Sequence, residues 1–348
     1  MTSQQTSVSK RSTLKTFAKT ATTVLAATSL PLALTPAFAQ QAKVYKLGIS
    51  LAQTHPTVIG LQAACAEILA ETKGQLNIQV FANSQLGSDA DMVSQARSGA
   101  IDFVATSGGV WANLIPVAGI TGTPFAFPSL QAAFTAVDGD LGAYVRGEFA
   151  KVNLAAVGAV WDHGFRHITT STKPVNSVQD LSGMKLRVPA TPTLQAMFKA
   201  MGAAPTTIGI GEVYTALQTK VVDGQENPFA IIEAFRFYEV QKYCSLSGHA
   251  WECFWLAGNQ RSWNAIAEPL RQVAQRVFAA HAVKTRAVLA SANTTLQADL
   301  TKRGMTFNSV NVQSFREALQ KAGTYKEFHA KFGDAAWAVL EKYTGKLA

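Results

Sequence analysis

Two short segments hold the residue types best suited to recognising a charged ligand: Gly183-Met-Lys-Leu-Arg-Val-Pro189 and, further along, Val222-Asp-Gly-Gln-Glu-Asn-Pro228. The first alternates as a strand does, with Leu186 and Val188 on one face and Lys185 and Arg187 on the other. Pro189 closes it, because proline has no N–H to continue a ladder. An arginine on the inner side of such a strand stays charged at any working pH and presents a planar fork of donors. A buried, unpaired guanidinium is costly, so something anionic must meet it. A carboxylate of the protein and a carboxylate of a ligand both fit that need.

The elements that must hold these segments follow from periodicity. Residues 44–50 alternate as a strand, and 57–72 place Val58, Leu61, Cys65, Ile68 and Leu69 on one helical face. A strand over 76–81, a helix over 89–98 and a strand over 101–105 follow. The order resumes with strands over 155–161 and 185–188 and helices over 191–201 and 211–219. Such alternation predicts an α/β fold with mainly parallel sheets and helices on both faces. The groups of interest come from two such blocks, which places the site in a cleft between two domains. From 268 to 302 there is no glycine, and the one proline, Pro269, stands in the first turn, where proline is tolerated. Leu270, Val273, Val277 and Phe278 form an apolar stripe, and Gly304 supplies a stop. Unbroken, that helix would be on the order of 50 Å long and would touch both domains. A break near Ser291-Ala-Asn293 would instead leave two shorter helices.

The run from Gly164 to Glu239, with its KLRVP, VYTALQT and VDGQENP segments, resembles the solute-binding component of tripartite ATP-independent periplasmic (TRAP) transporters, of the dicarboxylate and sialic-acid (DctP) type. NSQLGSDADMVSQARSGAIDF (83–103) and PFAFPS (124–129) extend the resemblance over most of the chain after residue 45. It implies a two-domain periplasmic binding protein fold that closes on its ligand by hinge motion, with a long helix near the C-terminus crossing both domains. The expected boundaries are 40–164 plus about 253–292 for the first domain and 165–252 plus about 293–348 for the second. The resemblance also implies that Arg187 binds a ligand carboxylate, with Arg166 and Asn227 as companions. Such a receptor is not an enzyme and uses neither cofactor nor metal. It passes an organic acid to a permease made of a small and a large integral membrane subunit, driven by an ion gradient.

On this reading Arg187 makes a bidentate salt bridge and Asn227 donates its amide to the same carboxylate. Arg166 has an alternative partner in the nearby Asp162, while Asp223 and Glu226 are expected to cap or brace their loop. Trp161, Phe165 and Trp111 are candidate aromatic walls, with the core as the competing location for each. Gln53 and His55 follow the first strand, where open α/β sheets place ligands. Ser107 and His249 complete the candidate set. The other wall candidates (Ser50, Gly108, Gly109, Ile210) are mostly small or apolar, which favours a compact monocarboxylate, a hydroxy or keto acid, over a large sugar acid with many hydroxyls to satisfy.

Residues 1–39 carry Lys10, Arg11, Lys15 and Lys19 without an acid, then an apolar stretch and Ala37-Phe38-Ala39. This reads as a signal peptide cleaved after Ala39, and so as export to the periplasm. The apolar stretch falls short of the roughly 20 residues a bilayer span needs. Ser9-Lys10-Arg11 resembles a twin-arginine signal with lysine in the first place, which leaves the Sec and Tat routes both open. Removing these four cations takes the formal charge from +9 to +5, spread without a Lys/Arg run or a nucleic-acid motif. The 309 residues that remain suit two domains of a monomer with no nucleic-acid partner. Three cysteines remain, Cys65, Cys244 and Cys253, an odd count that leaves at least one free thiol. Cys244 and Cys253 form a disulfide if they meet across neighbouring strands. Competing readings are an exported hydrolase or lyase using His55, His163 or Asp162, and a ligand-sensing partner of a signalling receptor. Neither a nucleophile elbow nor a paired-carboxylate pattern supports the first.

Overall fold

The computed structural model describes residues 43–347; the expected signal peptide lies outside the described residues. Among these residues twelve strands form two sheets. In chain order they are β1 (Val44–Gly48), β2 (Asn77–Phe81), β3 (Phe103–Ser107), β4 (Leu154–Ala156), β5 (Trp161–Phe165) and β6 (His167–Thr170). There follow β7 (Lys185–Val188), β8 (Ala204–Thr207), β9 (Gly224–Asn227), β10 (Tyr243–Leu246), β11 (Trp251–Asn259) and β12 (Thr306–Ser309). The first sheet runs β2-β1-β3-β11-β4, with β5 also on β11; the second runs β12-β10-β6-β9-β7-β8.

Strand direction is mixed, which corrects the expectation of mainly parallel sheets. The parallel pairs are β1 with β2 and β3, β7 with β8 and β9, and β10 with β12. β11 is antiparallel to β3, β4 and β5, and β6 is antiparallel to β9 and β10. The reversed strands β6 and β11 are the two that the chain enters directly from the other sheet, so each starts at the crossing and runs away from it, against its neighbours. Here β5 and β6 are joined by Arg166 alone, and β10 and β11 by residues 247–250, so the chain steps directly from one sheet to the other.

Local signals account for most element boundaries. The helix Asp89–Ser98 begins with a Ser88/Asp91 capping box and ends on Gly99 in the left-handed region. The expected strand 155–161 is divided at Gly158, where φ is +69° and a Cβ would lie 3.0 Å from the long helix at Phe278. That helix, Glu268–Lys302, is a single element of 35 residues with no break at Ser291. It packs on Pro56–Glu71, the helix after β1, and on Phe229–Ala234, the helix after β9. Arg286 pins its middle: the guanidinium forks onto Asp138 (2.6 and 2.9 Å) and also donates to the Val160 carbonyl. Cys244 lies in β10 and Cys253 in β11, on different sheets, and all three cysteines are free and buried. Burial pushes the thiols of Cys65 and Cys253 up to about 12.

Candidate functional site

The two places where the chain steps between sheets meet. The N–H of Arg166, between β5 and β6, donates to the carbonyl of Ala250, just ahead of β11. The Arg166 side chain, 1% exposed, is then surrounded by acceptors. Its Nε and Nη2 fork onto the Glu226 carboxylate at 2.5 and 2.8 Å, and Nη2 also donates to the Glu226 carbonyl and to Asn227 Oδ1 (3.1 Å). Nη1 meets His163 Nε2 at 2.7 Å and Glu252 Oε2 at 3.1 Å. All five N–H groups are thus engaged within the protein.

Electrostatics follow from this packing. Burial works to raise Glu226, but the charge of Arg166, together with the hydrogen bonds from His249 and Arg166, outweighs it and holds the carboxyl below its ordinary range. Burial raises Glu252, and its attraction to Arg166 does not overcome that. His163 is driven well below its usual value by burial and then by Arg166, so it is neutral and accepts at Nε2. His249 is lowered by burial against the pull of Glu226, to which its Nε2 lies at 3.1 Å, while Nδ1 lies 2.8 Å from Ser247 Oγ. Gly109 belongs to this knot by lacking a side chain: a Cβ there would stand 2.3 Å from Glu252 Oε1 and from Thr191 Cγ2.

Arg187 is the opposite case. It sits in β7 beside Gln225 of β9 and Thr206 of β8 and is 2% exposed. Its Nε donates to the Ile208 carbonyl at 2.9 Å, which fixes the plane of the guanidinium. Among the described residues no carboxylate pairs with it; the buried ion pairs of this region belong to Arg166. Burial lowers its pKa to about 10, so it stays charged at neutral pH, with Glu226 and Asp89 as opposing charges nearby.

Arg187, Arg166, Asn227 and Ser107 line one pocket with about 350 Å³ of space free of atoms. The Ser107 hydroxyl also accepts from the Val110 N–H, capping a short helix. Asn227 directs Nδ2 to Gln225 Oε1 (2.6 Å) while Oδ1 receives Arg166. Ser50 and Ile210, expected in the wall, are there. Wall residues that went unnoticed in the sequence include Asp89, Thr106 and Phe254. Asp89 looked like an ordinary acid in a helix first turn; only the fold sets it against Ser50 and Thr106, whose hydroxyls donate to its Oδ1 at 2.9 and 2.7 Å. Burial raises its pKa against those two hydrogen bonds.

The remaining candidates lie elsewhere. Trp161 is buried in the core, where its ring would touch a Cβ at Gly60, and Trp111 packs edge-on to Phe149 with Nε1 donating to the Trp255 carbonyl. Phe165 is half-buried against the core. A large indole gains most where it is fully dehydrated, which took both tryptophans inward. Gln53 is exposed in the turn after β1, its N–H donating to Asn83 Oδ1. His55 is buried, caps the Pro56–Glu71 helix by accepting from Thr57 N–H at Nδ1, and is lowered by burial to about 3. His249 stands behind Glu226 and outside the pocket lining. Asp162 does not pair with Arg166: its Oδ1 accepts from Trp251 Nε1 (3.0 Å), and burial raises it to about 6.

A pocket between two mixed sheets, with a buried unpaired cation in its wall, defines an α/β ligand-binding protein of the clefted kind. The chain belongs to the family of bacterial extracellular solute-binding proteins, family 7 (DctP), whose model matches residues 47–331. It is 30% identical over 291 residues to a solute-binding protein of Roseobacter denitrificans, covering 84% of this chain and 89% of that one. It is 40% identical over 241 residues to an uncharacterized protein of Sinorhizobium fredii, of whose length the chain spans 44%. Among solved structures it is similar to a TRAP periplasmic solute binding protein from Polaromonas sp. JS666 bound to D-erythronate, at TM-score 0.83 and 29% identity over 87% of this chain and 100% of that one. A TRAP protein from Sulfitobacter sp. NAS-14.1 with bound β-D-galacturonate gives TM-score 0.82 and 25% identity over the same shares.

Proposed function

We propose that this protein is a periplasmic receptor that captures an organic acid and delivers it to a TRAP permease of one small and one large membrane subunit. The observation that carries the reading is Arg187, a buried, oriented guanidinium that faces the pocket and makes no ion pair with either carboxylate near it, Asp89 or Glu226. A carboxylate entering there gains a bidentate, charge-assisted pair. Asn227 has one amide hydrogen left beyond its bond to Gln225 and serves the same carboxylate. Arg166, with its donors spent, positions Asn227 and Glu226. The largely small or apolar wall favours a compact monocarboxylate, in keeping with the erythronate held by one solved relative; the galacturonate of the other bounds the larger end. The boundaries we favour remain 40–164 plus about 253–292 and 165–252 plus about 293–348, with closure about the crossings at Arg166 and 247–250 and along the long helix.

The residues an exported enzyme would have used are committed otherwise. His55 is a helix cap, His163 accepts from Arg166 and Asp162 accepts from Trp251. A thermal-shift screen over organic acids, with neutral sugars and amines as controls, tests the proposal. Stabilisation confined to carboxylates is expected, stabilisation by neutral sugars alone would overturn it, and an acid consumed during titration would revive the enzyme reading.

A further inference from the structure

We infer that a polar cleft at the far end of the first sheet, between Arg97 and Arg261, is a second ligand site, one that takes the phosphate of a hydroxylated phosphate ester. The antiparallel pair β3 and β11 places it. Ser107 and Phe254, opposite each other, line the acid pocket, whereas Asn259 at the other end of β11 lines this cleft. Phe254 and Asn259 stand about 17 Å apart along the strand. The cleft holds about 1080 Å³ of space free of atoms, and its lining contains neither a carboxylate nor an apolar side chain. One buried amide holds the two arginines in place. Asn259 Nδ2 donates to the Ala96 and Arg97 carbonyls at 2.9 and 3.2 Å, while Oδ1 accepts from the Arg261 and Ser262 N–H groups at 3.0 and 3.2 Å. The Gln260 N–H donates to the Asn153 carbonyl, which ties the third wall segment to the same strand end.

These two arginines differ from the rest. Every other arginine among the described residues meets a carboxylate, a carbonyl or an aromatic ring. The exposed guanidinium groups of Arg97 and Arg261 meet none of these among the described residues, and both border one cleft. The adjoining acid is already engaged: Asp102, whose carbonyl accepts from the Asn259 N–H, has its carboxylate on Lys43 and on the Lys46 N–H. Two guanidinium forks on different walls fit a tetrahedral anion better than a carboxylate, whose two oxygens a single fork fills. The space exceeds what a free phosphate occupies, and the side chains of Asn153, Gln260, Ser262 and Asn264 suit a body that carries hydroxyls. A glycerol phosphate has this chemistry, both as a soluble ester and as the headgroup of an anionic phospholipid.

Calorimetry with sn-glycerol 3-phosphate and glycerol, and flotation with phosphatidylcholine vesicles containing or lacking phosphatidylglycerol, test the site and separate the two sources. Low salt is used because exposed charges are screened. Glycerol 3-phosphate should bind saturably with a Kd of about 1 mM or tighter, or the protein should float with the phosphatidylglycerol vesicles, while glycerol and pure phosphatidylcholine do nothing. Arg97→Gln and Arg261→Gln should each weaken the binding about fivefold, and together abolish it without changing the melting curve. Arg236→Gln, a surface control, and Arg187→Met, in the acid pocket, should leave it unchanged. Binding of the soluble ester alone assigns a solute, and flotation alone assigns a lipid headgroup; either upholds the site. Absence of binding from both sources would overturn the inference. So would binding that survives the double substitution, an equal loss in Arg236→Gln, or loss in Arg187→Met, which would place the phosphate in the acid pocket.

Discussion

The two buried arginines stand in neighbouring regions and are treated in opposite ways. At the strand crossing, Arg166 has five N–H groups and five engaged donors, shared among Glu226, Glu252, Asn227 and a neutral His163. On the pocket wall, Arg187 is tied by Nε alone, and its counter-charges remain at Coulomb range. Both are more than nine-tenths buried, so solvent does not explain the difference. A cation that is saturated by the protein holds structure together, because separating it from its carboxylates exposes each to an uncompensated low-dielectric site. A cation left unsaturated carries a desolvation cost that a ligand anion relieves, and that relief is binding energy. Placing the two side by side spends the hydrogen bonds of Glu226 on Arg166, so Glu226 acts on Arg187 only through charge and leaves the two Nη groups of Arg187 unpaired.

The strongest way to break this comparison is Arg166→Met. It strands Glu226 and Glu252 in the interior, and stability should fall by about 3–5 kcal/mol. Chemical denaturation of the ligand-free protein measures it, and a loss comparable to that of an exposed arginine would show that the crossing is not held by this ion cluster.

Arg187→Met should give the mirror result. Removing an unpaired buried charge should leave the ligand-free protein as stable as before or more so, while carboxylate affinity falls at least tenfold, about 1.5–3 kcal/mol. Lysine should restore only part of it, since an ammonium does not reproduce the fork. Calorimetry beside a melting curve separates the two effects. Near-normal carboxylate affinity in the folded variant would remove Arg187 from the site.

Acid sharpens the contrast from another side. His55 and His167 are held near 3 in the folded state by burial, far below an unfolded histidine. The unfolded chain therefore binds protons that the folded chain refuses as pH drops from about 6.5 towards 3. Stability is full above that window and is lost within it, at about 1.4 kcal/mol per pH unit for each histidine. Asp162, raised to about 6, works the other way between its unfolded and folded values and offsets part of the loss. Urea midpoints at pH 7 and pH 5 should differ accordingly, and equal midpoints would contradict the neutral buried histidines.

The smallest expected effect is one of shape. If the pocket closes around its ligand while the Arg166 crossing holds, small-angle scattering should show a modest fall in radius of gyration on saturation, without loss of secondary structure. Superimposable curves would count against closure.

Much of the scaffold was legible in one dimension because its signals are local. Capping at Ser88, the alternation of Lys185–Val188 and a long run free of glycine gave helix and strand limits that match to within a residue or two. Arg187 was legible as well, since an inward arginine on a short buried strand raises the question of its anion wherever it occurs. Strand direction was not, because it depends on where the chain lands after stepping between sheets, and nothing local encodes that. The fates of Arg166 and Asp89 were also decided by the fold. Glu226 and Glu252 come from β9 and β11, and Ser50 and Thr106 from the segments at the ends of β1 and β3, all remote in sequence from the side chains they hold. The tryptophans show the same limit: hydrophobic area drives them out of water, but whether into a core or onto a ligand wall depends on the cavity the neighbouring elements leave. The sequence by itself thus determined the elements and the presence of a buried cation. Which cation is neutralised, and which is kept open beside Asp89, was settled by tertiary structure, because pairing of buried charges depends on distances between chain segments that only packing brings together.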